Sequence, residues 1–124
     1  MGNFKFSYEK LDVWQLAKNF VLTIYKIAKQ FPQEEKFGLG SQINRASVSV
    51  ASNIAEGSSR TSKKDPAHFT QIAYGSLMEV ACQIIIAHDL GYITKEDYEN
   101  LRDRIEAISN KLSALRKYQL GRIS

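Results

Sequence analysis

The chain is short of every residue that staples or punctuates a fold. It has one cysteine, Cys82, so no disulfide can form within it. Two prolines and seven glycines in 124 residues are too few for a sandwich or barrel, which needs many tight turns. No apolar run nears the ~18 residues that cross a bilayer. The longest is Ile84-Ile85-Ile86-Ala87. A secretory leader and Asn-x-Ser/Thr acceptors are also missing, so the expectation is a reducing, cytoplasmic setting with no membrane partner. The opening Met1-Gly2 does not make a myristoylation signal, because Phe6 stands where that motif needs Ser or Thr.

What is present is ordinary globular material. A mass of 14.1 kDa suits one domain. Hydrophobic residues at 44% and charged residues at 24% argue against disorder. A net charge of +4 leans toward anionic partners without proving one.

Apolar spacing predicts four helices, at roughly 11–31, 36–58, 65–90 and 95–118. The first steps through Trp14, Ala17, Val21, Ile24, Ala28 and Phe31, with Val13, Leu16, Phe20 and Ile27 beside them, and stops at Pro32. The second steps through Leu39, Ile43, Ala46, Val50, Asn53 and Gly57 and is rich in small residues. A strand over Ala46–Val50, where serine alternates with valine, loses to the longer helical period. Asp65 before Pro66 reads as the N-cap of the third helix, which carries Phe69, Ala73, Ser76, Val80, Ile84 and Ala87, and Gly91 ends it. Thr94 caps the fourth, whose heptad runs Tyr98, Leu101, Ile105, Ile108, Leu112, Leu115. Short joints make antiparallel neighbours, so the expected fold is all-α, an up-and-down four-helix bundle.

The third helix has too little polar surface. Between Pro66 and Ala87 its only formal charge is Glu79, and Ile72, Tyr74, Met78, Cys82, Ile85 and Ile86 point in every direction. The second is similar, with only Arg45 and Glu56. One bundle cannot bury both sides of two helices, and a second copy of the chain is the simplest cover. The expectation is a ring-like homo-oligomer built on helices two and three. Charges on such helices are expensive unless paired, so Arg45, Asn53, Glu56 and Glu79 read as a buried polar network that sets register, with Arg60, Lys63 and Lys64 available as partners. A carboxylate pair for acid–base or metal chemistry is the functional alternative.

Catalytic constellations are absent. Gly38-Leu39-Gly40 lacks the third glycine and the strand of a dinucleotide loop, and no phosphate loop occurs. Gly75-Ser76 lacks a nucleophile elbow. His68, Cys82 and His88 have no zinc-ligand spacing, and the Glu-x-x-His pair of di-iron bundles is missing. His88 reads as a helix C-terminal capping side chain and Cys82 as an inert core thiol. The expectation is a protein that is not an enzyme and uses no cofactor or metal.

Basic residues are better organised. Lys18, Lys26 and Lys29 follow Asp12 with no acid before Glu34. Lys111, Arg116, Lys117 and Arg122 follow Glu106 with no acid after it. An unpaired basic stripe can neutralise phosphates, and a ring of copies repeats it. The ordinary reading is macrodipole complement and solubility. By contrast Arg102 and Glu106 belong to a face of mixed sign. Tyr8, Tyr25, Tyr74 and Tyr118 could stack on bases but show no RNA-module spacing.

Three stretches are familiar: Tyr8-Glu9-Lys10-Leu11-Asp12-Val13-Trp14-Gln15-Leu16-Ala17, the run Gln42 to Gly57 with Asn53-Ile54-Ala55-Glu56-Gly57 followed by Arg60, and Phe69 to Glu79. With Leu90-Gly91-Tyr92-Ile93 they resemble the 23S rRNA-intervening sequence proteins. The resemblance implies an up-and-down four-helix bundle that assembles as a homopentamer, encoded in intervening sequences of bacterial 23S rRNA genes or in free-standing bacterial genes. A related group, the accessory proteins of diversity-generating retroelements, forms a basic pentameric barrel thought to hold nucleic acid and reverse transcriptase. The family offers no established catalytic residues to carry over. Arg45, Asn53, Glu56, Arg60 and Glu79 match its signature, while the tail after Leu115 lies outside it. The functional expectation is a non-enzymatic protein binding rRNA or another nucleic acid, with a scaffold for a nucleic-acid enzyme as the alternative.

Overall fold

The computed structural model describes residues 3–60 and 65–121. Four helices carry the fold: α1 (Asp12–Ala28), α2 (Leu39–Ser58), α3 (Asp65–Asp89) and α4 (Lys95–Gly121). Single 3-10 turns at Ser7–Lys10 and Gln33–Glu35 precede α1 and α2.

Cross-helix contacts give the topology. Ser49 and Ser76 share a hydroxyl hydrogen bond at 2.8 Å, and Arg60 lies 4.6 Å from the Phe69 ring centroid, so α2 and α3 run antiparallel. His88 stacks on Tyr98 near the α3–α4 turn, while Thr70 meets Gln119 at the other end. Phe31 and Tyr92 touch with ring centroids 5.5 Å apart, and Lys111 pairs with Asp12, which turns α4 against α1. Each helix therefore has two antiparallel neighbours, the up-and-down bundle that short joints favour.

The core follows the 3.6-residue stripes. Phe20, Ile24, Ile43, Val50, Leu77, Val80, Ile84, Leu101, Ile108 and Leu112 are all nearly inaccessible. They come from all four helices, and burying each aliphatic or aromatic side chain contributes about 1.5–3 kcal/mol. The α2–α3 seam is the most extensive and the α1–α4 seam the thinnest in the ring. Small residues explain the first. A Cβ on Gly57 would stand 2.9 Å from Phe69 Cβ and 3.3 Å from the Pro66 carbonyl oxygen.

Helix ends differ from expectation by a few residues. The α1 helix stops at Ala28 rather than Phe31, because the chain tightens into turns ahead of Pro32. Helix α2 begins at Leu39, not 36; Gln33–Glu35 form their own turn, and Glu35 Oε1 accepts the Leu39 N–H at 3.1 Å. Asp65 is the first residue of α3 rather than its N-cap. Gly91 sits at φ +83°, the left-handed conformation that closes α3, with the Tyr92 N–H donating to the Ala87 carbonyl. Thr94 caps α4 as expected, its hydroxyl accepting the Asp97 N–H at 3.1 Å, and α4 continues to Gly121.

By length and mean hydropathy α3 is apolar enough to cross a bilayer. Its inner stripe of Ala67, Ala73, Leu77, Val80, Ile84 and Ala87 is the wall of the bundle core, and core helices pass the same test. Its outer faces still carry part-exposed Ile72, Met78, Ile85 and Ile86.

Candidate nucleic-acid interface

Helix α1 presents Lys18, Lys26 and Lys29 on broadly one side, away from its core stripe of Val13, Ala17, Phe20, Ile24 and Ile27. Helix α4 presents Lys111, Arg116 and Lys117 in its last three turns: Lys117 points away from the core stripe, while Lys111 and Arg116 flank it, Arg116 one turn after buried Leu112. All of these except half-buried Lys18 are exposed. Arg122 lies outside the described residues, as do Lys63 and Lys64.

The two groups do not merge within one chain. Lys111 Nζ lies 2.6 Å from Asp12 Oδ2, which fixes Lys111 beside the start of α1. Lys26 is fourteen residues further along α1, about 21 Å up the axis. Since α4 runs the other way, Arg116 and Lys117 lie beyond the start of α1, and the gap to Lys26 grows to roughly 30 Å.

The electrostatic surroundings also differ. Lys26 and Lys29 share their end with Glu34 and Glu35 of the α1–α2 joint, with Asp89, and with Glu96 and Asp97 in the first turn of α4. Arg116 and Lys117 follow the last acid of α4, Glu106; their end of the bundle also holds Asp65 together with Glu9, Asp12 and Glu56, which are engaged by the Phe6 N–H, Lys111 and Arg60. Lys5 and Lys10 come in from the N-terminal segment, two lysines the sequence reading passed over because they lie outside a helical stripe. Among the described residues, Lys26, Lys29, Arg116 and Lys117 have no acid within ion-pair distance. Lys111 does, so it is not an unpaired cation. Lys18 Nζ stands 5.8 Å from the Trp14 ring centroid, a cation–π contact.

Within the single chain the signature residues form no buried network. Arg45, Glu56 and Glu79 are exposed, and Asn53 is half-buried. Arg60 Nη2 donates to Glu56 Oε1 at 2.5 Å one turn away while its guanidinium lies over Phe69. Asn53 Nδ2 donates to the Ser49 carbonyl at 2.8 Å and to the Ser49 hydroxyl at 3.0 Å. Glu79 accepts from Gln83 Nε2 at 3.3 Å. Glu56 lies level with Phe69, ten residues and about 15 Å from Glu79, so these carboxylates cannot act on one substrate atom or ion. The physical reason is helical phase: Arg45, Glu56 and Glu79 fall on the outer arcs of α2 and α3.

One smaller expectation is corrected in the same way. Cys82 is exposed, not a core thiol, because it lies on the outer arc of α3 with Gly75 and Glu79. His88 lies in the last turn of α3, as expected, and its ring also stacks on Tyr98 at 4.1 Å and 12°. Arg102 and Glu106 are both exposed on the face of mixed sign, and Arg102 Nη1 donates to the Tyr98 hydroxyl at 2.6 Å. Among the described residues no three His, Cys, Asp or Glu side chains gather as a metal site.

A groove of about 430 Å³ lies between α3 and α4. Tyr74, Met78, Ala81 and Ile85 form its apolar side, and Arg102, Asp103 and Glu106 rim it.

Comparisons with known proteins agree with this architecture. No curated protein matches the chain. A solved structure from Bacteroides thetaiotaomicron, a protein of unknown function from the S23 ribosomal protein family, superposes with a TM-score of 0.79 at 26% identity. The match covers 85% of this chain and 95% of that one. The family model for the 23S rRNA-intervening sequence protein matches residues 9–114, from the turn before α1 almost to the end of α4. The chain therefore belongs to the 23S rRNA-intervening sequence protein family.

Proposed function

We propose that this protein is a non-enzymatic, cytoplasmic homo-oligomer that holds structured RNA or another nucleic acid by its phosphates. The observation that carries the reading is the acid-free end of α4. Among the described residues Arg116 and Lys117 have no acid within ion-pair distance there, with Lys10 just before α1 and Lys18 in its second turn. Phosphate contacts of this kind position a nucleic acid without reading its sequence. Lys26 and Lys29, in their more acidic surroundings, are secondary contacts.

Self-association multiplies this field. Val48, Ile72, Met78, Ile85 and Ile86 are each more than a third exposed on α2 and α3, and a second copy is the cover we infer for them. The homopentamer that the family resemblance suggests would display five basic ends together, and weak contacts gain by multivalency.

The test is a mobility-shift series with rRNA fragments across salt concentrations. Affinity should fall steeply with salt, and Arg116→Glu with Lys117→Glu should weaken binding more than Lys26→Glu with Lys29→Glu. Binding indifferent to salt, or unmoved in both variants, refutes the electrostatic reading.

The α3–α4 groove favours a second reading, a scaffold for a nucleic-acid enzyme with no nucleic-acid contact of its own. Its apolar wall and charged rim suit a protein segment better than a phosphate chain. Co-purification separates the two: absorbance at 260 nm marks nucleic acid, and a stoichiometric second protein marks the scaffold.

A further inference from the structure

The N-terminal segment, of which the phosphate-binding reading uses only the lysines, carries a continuous run of rings. Phe4 meets Phe6 edge-on at 5.3 Å, Phe6 stacks on Tyr8 at 5.6 Å with planes 1° apart, and Tyr8 meets Trp14 at 4.9 Å. The outer rings are open to solvent, Phe4 at 77% and Phe6 at 55%. Buried aromatic ladders are ordinary core; an exposed one lacks its partner.

The ladder is held in place. Glu9 Oε2 accepts the Phe6 N–H at 2.7 Å, and the Glu9 N–H donates back to the Phe6 carbonyl at 3.1 Å. Gln15 Nε2, from α1, donates to the Glu9 carbonyl at 2.9 Å. The rings are thus tied to the first turns of the bundle.

Charge indicates the occupant. Lys5 lies between Phe4 and Phe6 in sequence, Lys10 follows Tyr8 by two residues, and Lys18 stands over Trp14. The nearby acids are committed: Glu9 to the Phe6 N–H and Asp12 to Lys111. A partner that brings flat apolar faces together with negative charge meets both requirements. A second copy of this chain, with net charge +4, meets the first but not the second.

We propose that Phe4, Phe6, Tyr8 and Trp14 form a stacking platform for the unpaired bases of a single-stranded nucleic acid, with Lys5, Lys10 and Lys18 on its phosphates. Duplexes keep base faces inside the stack, whereas an unpaired base offers a π-face that a phenyl ring binds with little regard to sequence. This inference rests on the nucleic-acid reading above and adds the four rings and Lys5 to the Lys10 and Lys18 it already uses. In a folded RNA it directs the platform to loops and ends, while the α4 cations hold the helical parts.

The experiment uses Trp14, the chain's sole tryptophan, as reporter. The full chain is titrated with an oligothymidylate or oligouridylate and with a blunt duplex of equal charge. The single strand should bind more tightly and quench the Trp14 emission. Phe4→Ala with Phe6→Ala should cost roughly five- to a hundredfold in single-strand affinity per ring and leave duplex affinity unchanged. Phe4→Tyr with Phe6→Tyr, which keeps the rings, should bind as the parent does. Equal affinity of the alanine variant and the parent for the single strand overturns the platform while leaving the phosphate-binding reading intact. Absence of binding to both probes by the parent sinks that reading and this one with it. A change of oligomeric mass in the alanine variant, by sedimentation, assigns the rings to a subunit contact and overturns the platform.

Discussion

Thr70 and Gln119, forty-nine residues apart, lock the first turns of α3 to the last turns of α4. The Thr70 hydroxyl donates to the Gln119 side-chain carbonyl at 2.7 Å and lies 3.0 Å from the Pro66 carbonyl oxygen. Both residues are buried, at 2% and 8% exposure. A buried amide that loses its partner bears the full desolvation penalty, about 1–3 kcal/mol. Thr70→Val should therefore lower unfolding stability by that amount. Thr70→Val combined with Gln119→Leu should recover most of it, since neither partner is then left wanting. Additive losses in this double-mutant cycle, measured by urea denaturation, would show that the bond has no such role.

Gly57→Ala should destabilise the chain even though alanine is the better helix former. Helix propensity alone favours the substitution by up to about 1 kcal/mol. The new methyl, however, would press on Phe69 Cβ and the Pro66 carbonyl at distances below contact. Over-packing of this kind costs about 1–3 kcal/mol, so the sign should be a net loss in thermal or chemical denaturation. A neutral or stabilising result would mean that α2 and α3 can separate freely.

Tyr92 should make the fold less stable in alkali. Its hydroxyl donates to Glu35 Oε2 at 3.1 Å, joining the α3–α4 turn to the α1–α2 joint. That hydrogen bond, then burial, then the charges of Glu35 and Glu34 raise the Tyr92 pKa above its usual value of 10.0. A raised folded-state pKa means the bond's contribution is complete below the unfolded value and disappears as pH climbs through the folded one. Stability should fall above about pH 10, and Tyr92→Phe should remove this component of the fall while lowering stability at neutral pH. Parallel pH–stability curves for parent and variant above that pH would rule the mechanism out.

Ile86→Glu tests the inferred assembly. Ile86 is 45% exposed on α3, so a carboxylate there should leave the fold and helicity intact. Buried in a subunit contact, the same carboxylate is heavily penalised. Light scattering should show the parent as an oligomer and the variant near 14.1 kDa. A parent already at that mass, or a variant that assembles unchanged, would remove the oligomer.

Lys111→Ala should show how little the ion pair across the α1–α4 seam stabilises the fold. Lys111 and Asp12 are 46% and 70% exposed in their side chains. Exposed pairs contribute at most about 1 kcal/mol, and salt reduces that further. A loss well beyond this would assign Lys111 a role that its surroundings do not indicate.

Helix number, direction and core were readable because apolar spacing reports them directly. Leu101, Ile105, Ile108 and Leu112 are buried as the heptad requires, and Ile43, Val50 and Leu77 as their stripes require. Helix ends were less readable. Pro32 marks a barrier but does not say whether turns precede it, and the Glu35 side chain supplies the start of α2 from outside the helix. The site suffered most where residues were judged by neighbours in sequence rather than by phase. Cys82, Glu56 and Glu79 sit among apolar residues in the chain yet project outward. Lys111 seemed unpaired because its acid, Asp12, is ninety-nine positions away. The exposed rings of Phe4 and Phe6 alternate with Lys5 and Ser7, a two-residue period that a search for helical stripes passes over.

An even number of antiparallel helices returns the polypeptide to the side from which it set out. The N-terminal segment, packed on α1 and α2, and the last turn of α4 therefore lie at the same end of the bundle, the end of the cations and rings assigned here to polyanion capture. Any tag, fusion partner or dye joined at either extremity would crowd that surface and could mimic a loss-of-binding mutation. The reverse turn at Gly91, on the far side, offers the cleaner attachment point, provided the glycine's left-handed backbone is kept.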